Sequence, residues 1–171
     1  MFWRRKPETD SPDLVARILR GDRHALDLVY RAESGEVYRF ALAMCGNAAW
    51  AADAVQDAFV HLAEQPRGYD AARGPLKAWL CGIARHRLLA RWREAQGRWV
   101  DEADDEEAAD ASDAAHDSPE SELVRVQDHR ALWAAIHELP WAFREALVLV
   151  DLQERPYAEA AQIAGVELNT L

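Results

Sequence analysis

The sequence predicts an all-α protein: two small helical domains joined by an acidic tether. Three observations carry this. Half of the 171 residues are hydrophobic, and they recur at helical spacing with little strand-like alternation. The apolar stripes fall into two blocks, 11–99 and 122–171. Between them, eleven acids stand from Asp101 to Glu122 with no Lys or Arg. A segment so rich in charge and so poor in apolar groups cannot build a core, so 100–121 is expected to be disordered.

The elements follow in order. Ser11-Pro12 is a helix start, a hydroxyl cap followed by Pro at the first helical position. Leu14, Val15, Ile18 and Leu19 form its stripe, and Gly21 ends it. Asp22 caps a second helix carrying Ala25, Leu26, Val29 and Tyr30. A third bears Val37, Phe40, Ala41 and Met44 and ends at Gly46-Asn47. Asn47 caps a fourth, with Ala51, Ala54, Val55, Ala58, Phe59 and Leu62 inward and Asp53, Gln56, Asp57 and Val60 outward. A turn-rich loop spans Gln65 to Pro75. A long fifth helix runs from Leu76 to Arg98, with Leu76, Trp79, Leu80, Ile83, Leu88 and Trp92 as its apolar residues. Trp79 reads as core. The second block has a helix through Leu132, Trp133 and Ile136, a break at Leu139-Pro140, and a helix through Phe143 to Leu152. A short helix, Tyr157 to Ala164, is followed by a turn at Gly165 and the opening of one more helix.

Charge sharpens the picture. The net charge is −10, but outside the acidic tether nineteen acids face twenty bases. From Arg67 to Arg98 the bases outnumber the acids eight to two, a local charge of +6. Such segregation points to a nucleic-acid surface. From Leu123 on, the second block carries −3, poor for binding duplex DNA. Its short helix, glycine turn and new helix fit a helix-turn-helix, whose second helix normally enters the major groove. Cys45 and Cys81 sit in apolar stripes and read as buried free thiols. No cysteine–histidine spacing suits a metal, and no cluster has catalytic spacing, so no cofactor and no enzymatic activity are expected. The N-terminus lacks a signal-peptide core and no apolar run spans a bilayer, so a cytoplasmic location is expected.

Three strings occur in a telling order: ADAVQDAF (Ala52–Phe59), LKAWLCGIARHRLLARWR (Leu76–Arg93) and LPWAFREALVLVDLQERPYAEAAQIAGVELNTL (Leu139–Leu171). Together they resemble the extracytoplasmic-function (ECF) sigma factors of bacterial RNA polymerase, from Asp13 onward. The resemblance implies a promoter-specificity subunit with regions 2 and 4 and a variable linker. It implies docking of Asp53, Gln56 and Asp57 on the β′ coiled coil of core RNA polymerase, with further contact to β. It implies promoter DNA held by the loop and fifth helix. There Lys77, Arg85, Arg87, Arg91 and Arg93 suit phosphates, Tyr69 suits an unstacked base, and His86 suits a base or phosphate. An anti-sigma factor is the further implied partner.

This chain departs from the family pattern at Leu76, His86 and Ala90, where Phe, Asn and Asp are usual. Of the expected recognition helix only the opening is present, so Asn169 and Thr170 are its groove candidates. A second function fits these departures: a sigma-like decoy that sequesters an anti-sigma factor without binding DNA.

Overall fold

The structure, a computed structural model, describes residues 12–97 and 119–170. Among the described residues there are seven α-helices: α1 (Pro12–Leu19), α2 (Arg23–Cys45), α3 (Ala48–Glu64), α4 (Leu76–Gly97), α5 (Pro119–Glu138), α6 (Trp141–Ala146) and α7 (Tyr157–Ala164). α6 runs on into a π-helical stretch, Leu147–Leu152, and Leu168–Thr170 forms a 3₁₀ turn. No strand occurs among the described residues. Most of the tether expected at 100–121 lies outside them, and α5 begins at its last residues.

The caps predicted at Asp22 and Asn47 form; the one predicted at Ser11 lies outside the described residues. Asp22 accepts hydrogen bonds from the backbone of His24 (2.9 Å) and Ala25 (3.2 Å). The Arg17 guanidinium, 2.8 Å away, lowers its carboxyl pKa, and the cap bonds add to this. Asn47 accepts from Trp50 N at 2.8 Å. Gly46 closes α2 in the left-handed conformation, φ +68°.

One expectation is corrected here. The separate helices expected around Val29 and Phe40 are a single 23-residue α2. Ser34-Gly35 between them lacks a proline, and an interior Gly costs a helix only about 1 kcal/mol relative to Ala. Val29, Glu33, Val37, Phe40 and Met44 form a continuous buried stripe, and its burial outweighs that cost.

α2, α3 and α4 pack into a bundle around Phe40, Met44, Leu62, Leu76, Leu80 and Leu88, all almost fully buried. The second block does not stand apart from it. Trp141, Val148, Leu149, Ala160, Ile163 and Ala164 belong to the same apolar cluster. Trp92 of α4 meets Trp141 with ring centroids 5.7 Å apart. The sequence pattern offers Leu147, Val150 and Leu152 for such a contact. Val150 does pack against the cluster, partly buried, but Val148 and Leu149 make the fully buried contact and Leu152 is exposed. The wider turn of the π-helical stretch brings these adjacent residues onto the buried side.

Arg144 fastens the two blocks. Its guanidinium donates to Met44 O at 2.8 Å, to Leu139 O at 3.0 Å and to His137 O. These carbonyls lie at the C-terminal ends of α2 and α5, where no intrahelical donor is left for them. Beside it, the His137 imidazole contacts Ala43 O at 3.2 Å through Nε2. A Cβ at position 46 would lie 2.5 Å from the His137 ring. Gly46→Ala is therefore expected to destabilise by at least about 2 kcal/mol, combining left-handed strain with displacement of His137. Urea unfolding of the two proteins measures this.

Burial lowers the His137 pKa, and the Arg144 charge adds to the effect, against the hydrogen bond to Ala43. The unfolded chain therefore takes up this proton first as pH falls. Stability is full above about pH 6.5 and declines below it, by at most about 1.4 kcal/mol per pH unit for one proton. His137→Gln should flatten the profile between pH 7 and 5, which urea midpoints across that range will show.

Candidate nucleic-acid interface

α4 places its side chains on three faces. Leu76, Leu80, Ala84 and Leu88, four apart, are buried in the bundle. Arg87 and Arg91, also four apart, face α3. Lys77 and Arg85 face the second block. His86 and Arg93 are exposed, and Arg93 has no acidic partner among the described residues.

The α3 face carries Asp53 and Gln56, exposed, and Asp57, half-buried. The structure joins these acids to the bases of α4. Arg87 Nε lies 2.5 Å from Asp57 Oδ2, and Arg91 Nη1 lies 3.0 Å from Asp53 Oδ2. The Asp57 hydrogen bond raises the Arg87 pKa further. The Arg91 guanidinium also sits 4.6 Å from the Trp50 ring centroid, a cation–π contact. Asp53, Gln56 and Asp57, expected to meet polymerase, thus line one cleft with Arg87 and Arg91, two of the bases expected to meet DNA, together with Glu94.

The bases facing the second block are paired more deeply. Arg85 makes a two-pronged contact with Glu145 of α6, Nη2 to Oε2 at 2.9 Å and Nε to Oε1. Their side chains are 18% and 4% exposed, against 61% and 38% for Arg87 and Asp57. Arg155, 4% exposed, pairs with Glu36 of α2 at 3.1 Å and with Glu159 of α7. Lys77 lies 3.7 Å from Glu36 and 3.9 Å from Glu159. The Cys81 thiol lies 3.6 Å from the Arg155 guanidinium, and burial pushes its pKa up to about 12, so it is an inert core thiol.

One expected contact is placed differently. Tyr69 is buried, 8% exposed. Its hydroxyl donates to Gly74 O at 3.1 Å and its ring leans on Trp79 at 5.9 Å. In this arrangement it braces the loop and offers no open stacking face. Asn169 and Thr170 are exposed in the 3₁₀ turn. Glu145, Arg155, Glu36 and Glu159 were absent from the sequence-based reading; their partners lie far along the chain and leave no local signal.

The model of sigma-70 region 2 matches residues 29–98, which hold α3, the loop, α4 and most of α2. The ECF RNA polymerase sigma factor SigM of Mycobacterium tuberculosis is 29% identical over 166 residues, covering 96% of this chain and 78% of that protein. Residues 29–98 thus match sigma-70 region 2, and the chain as a whole is similar to ECF sigma factors. SigM of Bacillus subtilis, also an ECF RNA polymerase sigma factor, is 29% identical over 141 residues, covering 82% of each. The structure of CnrH in complex with the cytosolic domain of CnrY shares the fold, with a TM-score of 0.63 and 21% identity over 94% of this chain and 86% of that one. This similarity agrees with the expectation from the sequence strings. Among the described residues no His, Cys, Asp and Glu group could hold a metal ion, and no helix is long and apolar enough to cross a membrane.

The two kinds of ion pair differ in weight. Removing one partner of a buried pair leaves an uncompensated charge and costs about 3–5 kcal/mol; exposed pairs are worth about 0–1 kcal/mol. Arg85→Ala, which strands Glu145, should therefore shift the urea midpoint far more than Arg87→Ala. Equal shifts would contradict the burial contrast.

Proposed function

We propose that this protein is an ECF sigma factor that binds core RNA polymerase and directs promoter recognition and melting. The observation that carries the reading is the cleft between α3 and α4, inside the segment matched by sigma-70 region 2. An acidic, amide-bearing helix face suits basic side chains on the β′ coiled coil, with β as a further contact. The facing helix supplies cations for a single strand. Asp53, Gln56 and Asp57 are assigned to polymerase. Arg87, Arg91 and Arg93, with His86, are assigned to DNA, and Lys77 and Arg85 join them once the second block moves away. The domain division is proposed as 11–99, 100–121 and 122–171, the last a helix-turn-helix unit in which Asn169 and Thr170 open the recognition helix. The protein works where polymerase works, in the cytoplasm, without cofactor or catalysis of its own.

The decoy reading is favoured by the ion pairs on four of the five α4 bases and by the burial of Tyr69. CnrH, which shares the fold, was solved with the cytosolic domain of CnrY, and an anti-sigma factor is the corresponding partner proposed here. One experiment separates the readings. Asp53→Lys with Asp57→Lys should reduce capture of core polymerase by at least about tenfold while the helical circular dichroism spectrum is retained. Undiminished capture by the folded double variant would remove these residues from the interface. Failure of the unaltered protein to bind polymerase at all would favour the decoy.

A further inference from the structure

α2 and α3 leave an apolar groove of about 920 Å³ beside the cleft. Small residues of both helices, Ser34, Gly35, Ala52 and Ala63, leave the space. Tyr30 and Val60 stand in its walls, 48% and 45% exposed, and the Tyr30 ring meets Phe59 edge-on with centroids 4.9 Å apart. Water therefore lies on aromatic and aliphatic surface that an occupant would bury. A tight turn at Gly46-Asn47 joins the two helices, so they run antiparallel. Arg23 and Ala63 mark one end of the groove, Tyr38 and Ala52 the other. α1 packs on α2 and on the 3₁₀ turn Pro66–Gly68 that follows α3, which puts it at the first end.

The chain carries a segment of matching chemistry and reach. Phe2-Trp3 is the one pair of adjacent aromatics in the sequence, and Arg4, Arg5 and Lys6 follow it. Trp3 lies nine residues before Pro12, where α1 begins, and an extended chain covers about 30 Å over that length. Going back, α1 is about 12 Å long, and the turn 20–22 adds at most about 14 Å before Arg23 at the groove's mouth. The segment therefore reaches the groove. The order of groups also agrees. Outward from Pro12 the segment offers its bases first and its aromatics last. Inward from the mouth come Glu64, exposed and without an ion pair among the described residues, and then Val60 and Tyr30. Arg23 stands on the α2 side of the mouth, which directs the bases to the α3 side.

We propose that the groove is the seat of the chain's own N-terminal segment: Phe2 and Trp3 insert beside Tyr30 and Val60, and the seated segment competes with polymerase at Gln56. Ring edges and faces of the inserted pair pack on Tyr30 as aromatic pairs do. Gln56 lines both the groove and the cleft, so one occupant excludes the other there. The competition rests on the assignment of Asp53, Gln56 and Asp57 to polymerase; the seating stands on the groove alone.

The test uses the full chain labelled with 5-fluorotryptophan. Of its seven tryptophan signals, the one lost in Trp3→Phe belongs to Trp3. In the unaltered chain this fluorine signal should stand away from the position of an unstructured tryptophan. Val60→Asp, at an exposed site, should return it there while the other tryptophan signals stay, which shows that the bundle remains folded. Gly35→Gln fills the groove from α2, where an added Cβ meets only Arg39 Nη1 at 3.6 Å, and should do the same. A Trp3 signal at the unstructured position in the unaltered chain would overturn the proposal. So would a shifted signal indifferent to both groove variants, or one that returns to the unstructured position on dilution, since a second copy would then supply the tail. Phe2→Ser with Trp3→Ser should strengthen capture of core polymerase by the reciprocal of the unseated fraction, which the fluorine spectrum reads. A seated tail whose loss leaves capture unchanged overturns the competition. An unaltered chain and a tail variant that both capture no polymerase remove the sigma assignment, and the fluorine signal still decides the seating.

Discussion

The Arg144 guanidinium lies where α2 and α5 both run out of intrahelical donors, and it bonds carbonyls from each. A charge so enclosed is costly to desolvate. Burial lowers its pKa for that reason, and its Nε is left without a partner. The three carbonyls offset this through charge-assisted bonds, and each would otherwise be an orphan at a helix end. The register of α6 against the bundle depends on this arrangement. Once Arg144 is seated, Glu145 next to it meets Arg85, and Val148 and Leu149 one turn on enter the core.

What is local was legible. Asp22, Asn47 and Gly46 act as cap or stop because their chemistry concerns only the next few residues. The apolar stripes of α3 and α4 sorted inside from outside correctly, Trp79 included, which is only partly buried but packs against the core. The polar face of α3 was likewise visible as a face. Where local signals were weak the reading failed: two helices were expected around Val29 and Phe40, yet the stripe continues in phase across Ser34-Gly35 and tertiary burial carries one helix through.

What is distant was not legible. Arg85 and Glu145 are 60 residues apart in sequence, Arg91 and Asp53 are 38 apart, and no spacing rule links them. Reading α4 as a charged helix identified its bases. It could not show that the structure satisfies most of those cations internally. Tyr69 illustrates the same limit, since an aromatic in a turn-rich loop is equally suited to stacking on a base or to bracing the loop from within. The π-helical stretch also lies beyond a reading based on a fixed helical period: it buries Val148 and Leu149 fully beside the partly buried Val150 and leaves Leu152 exposed.

Gly46 and His137 occupy a single volume. The space that a side chain at position 46 would fill is taken by the imidazole, 91 residues further along the chain. Their histories are therefore tied. A lineage keeping this packing can lose the glycine only after the histidine has become smaller or turned away, and a bulkier residue at 137 is admissible only while 46 remains bare. Among related chains that share this arrangement, the two positions should vary together although nothing in the order of residues connects them.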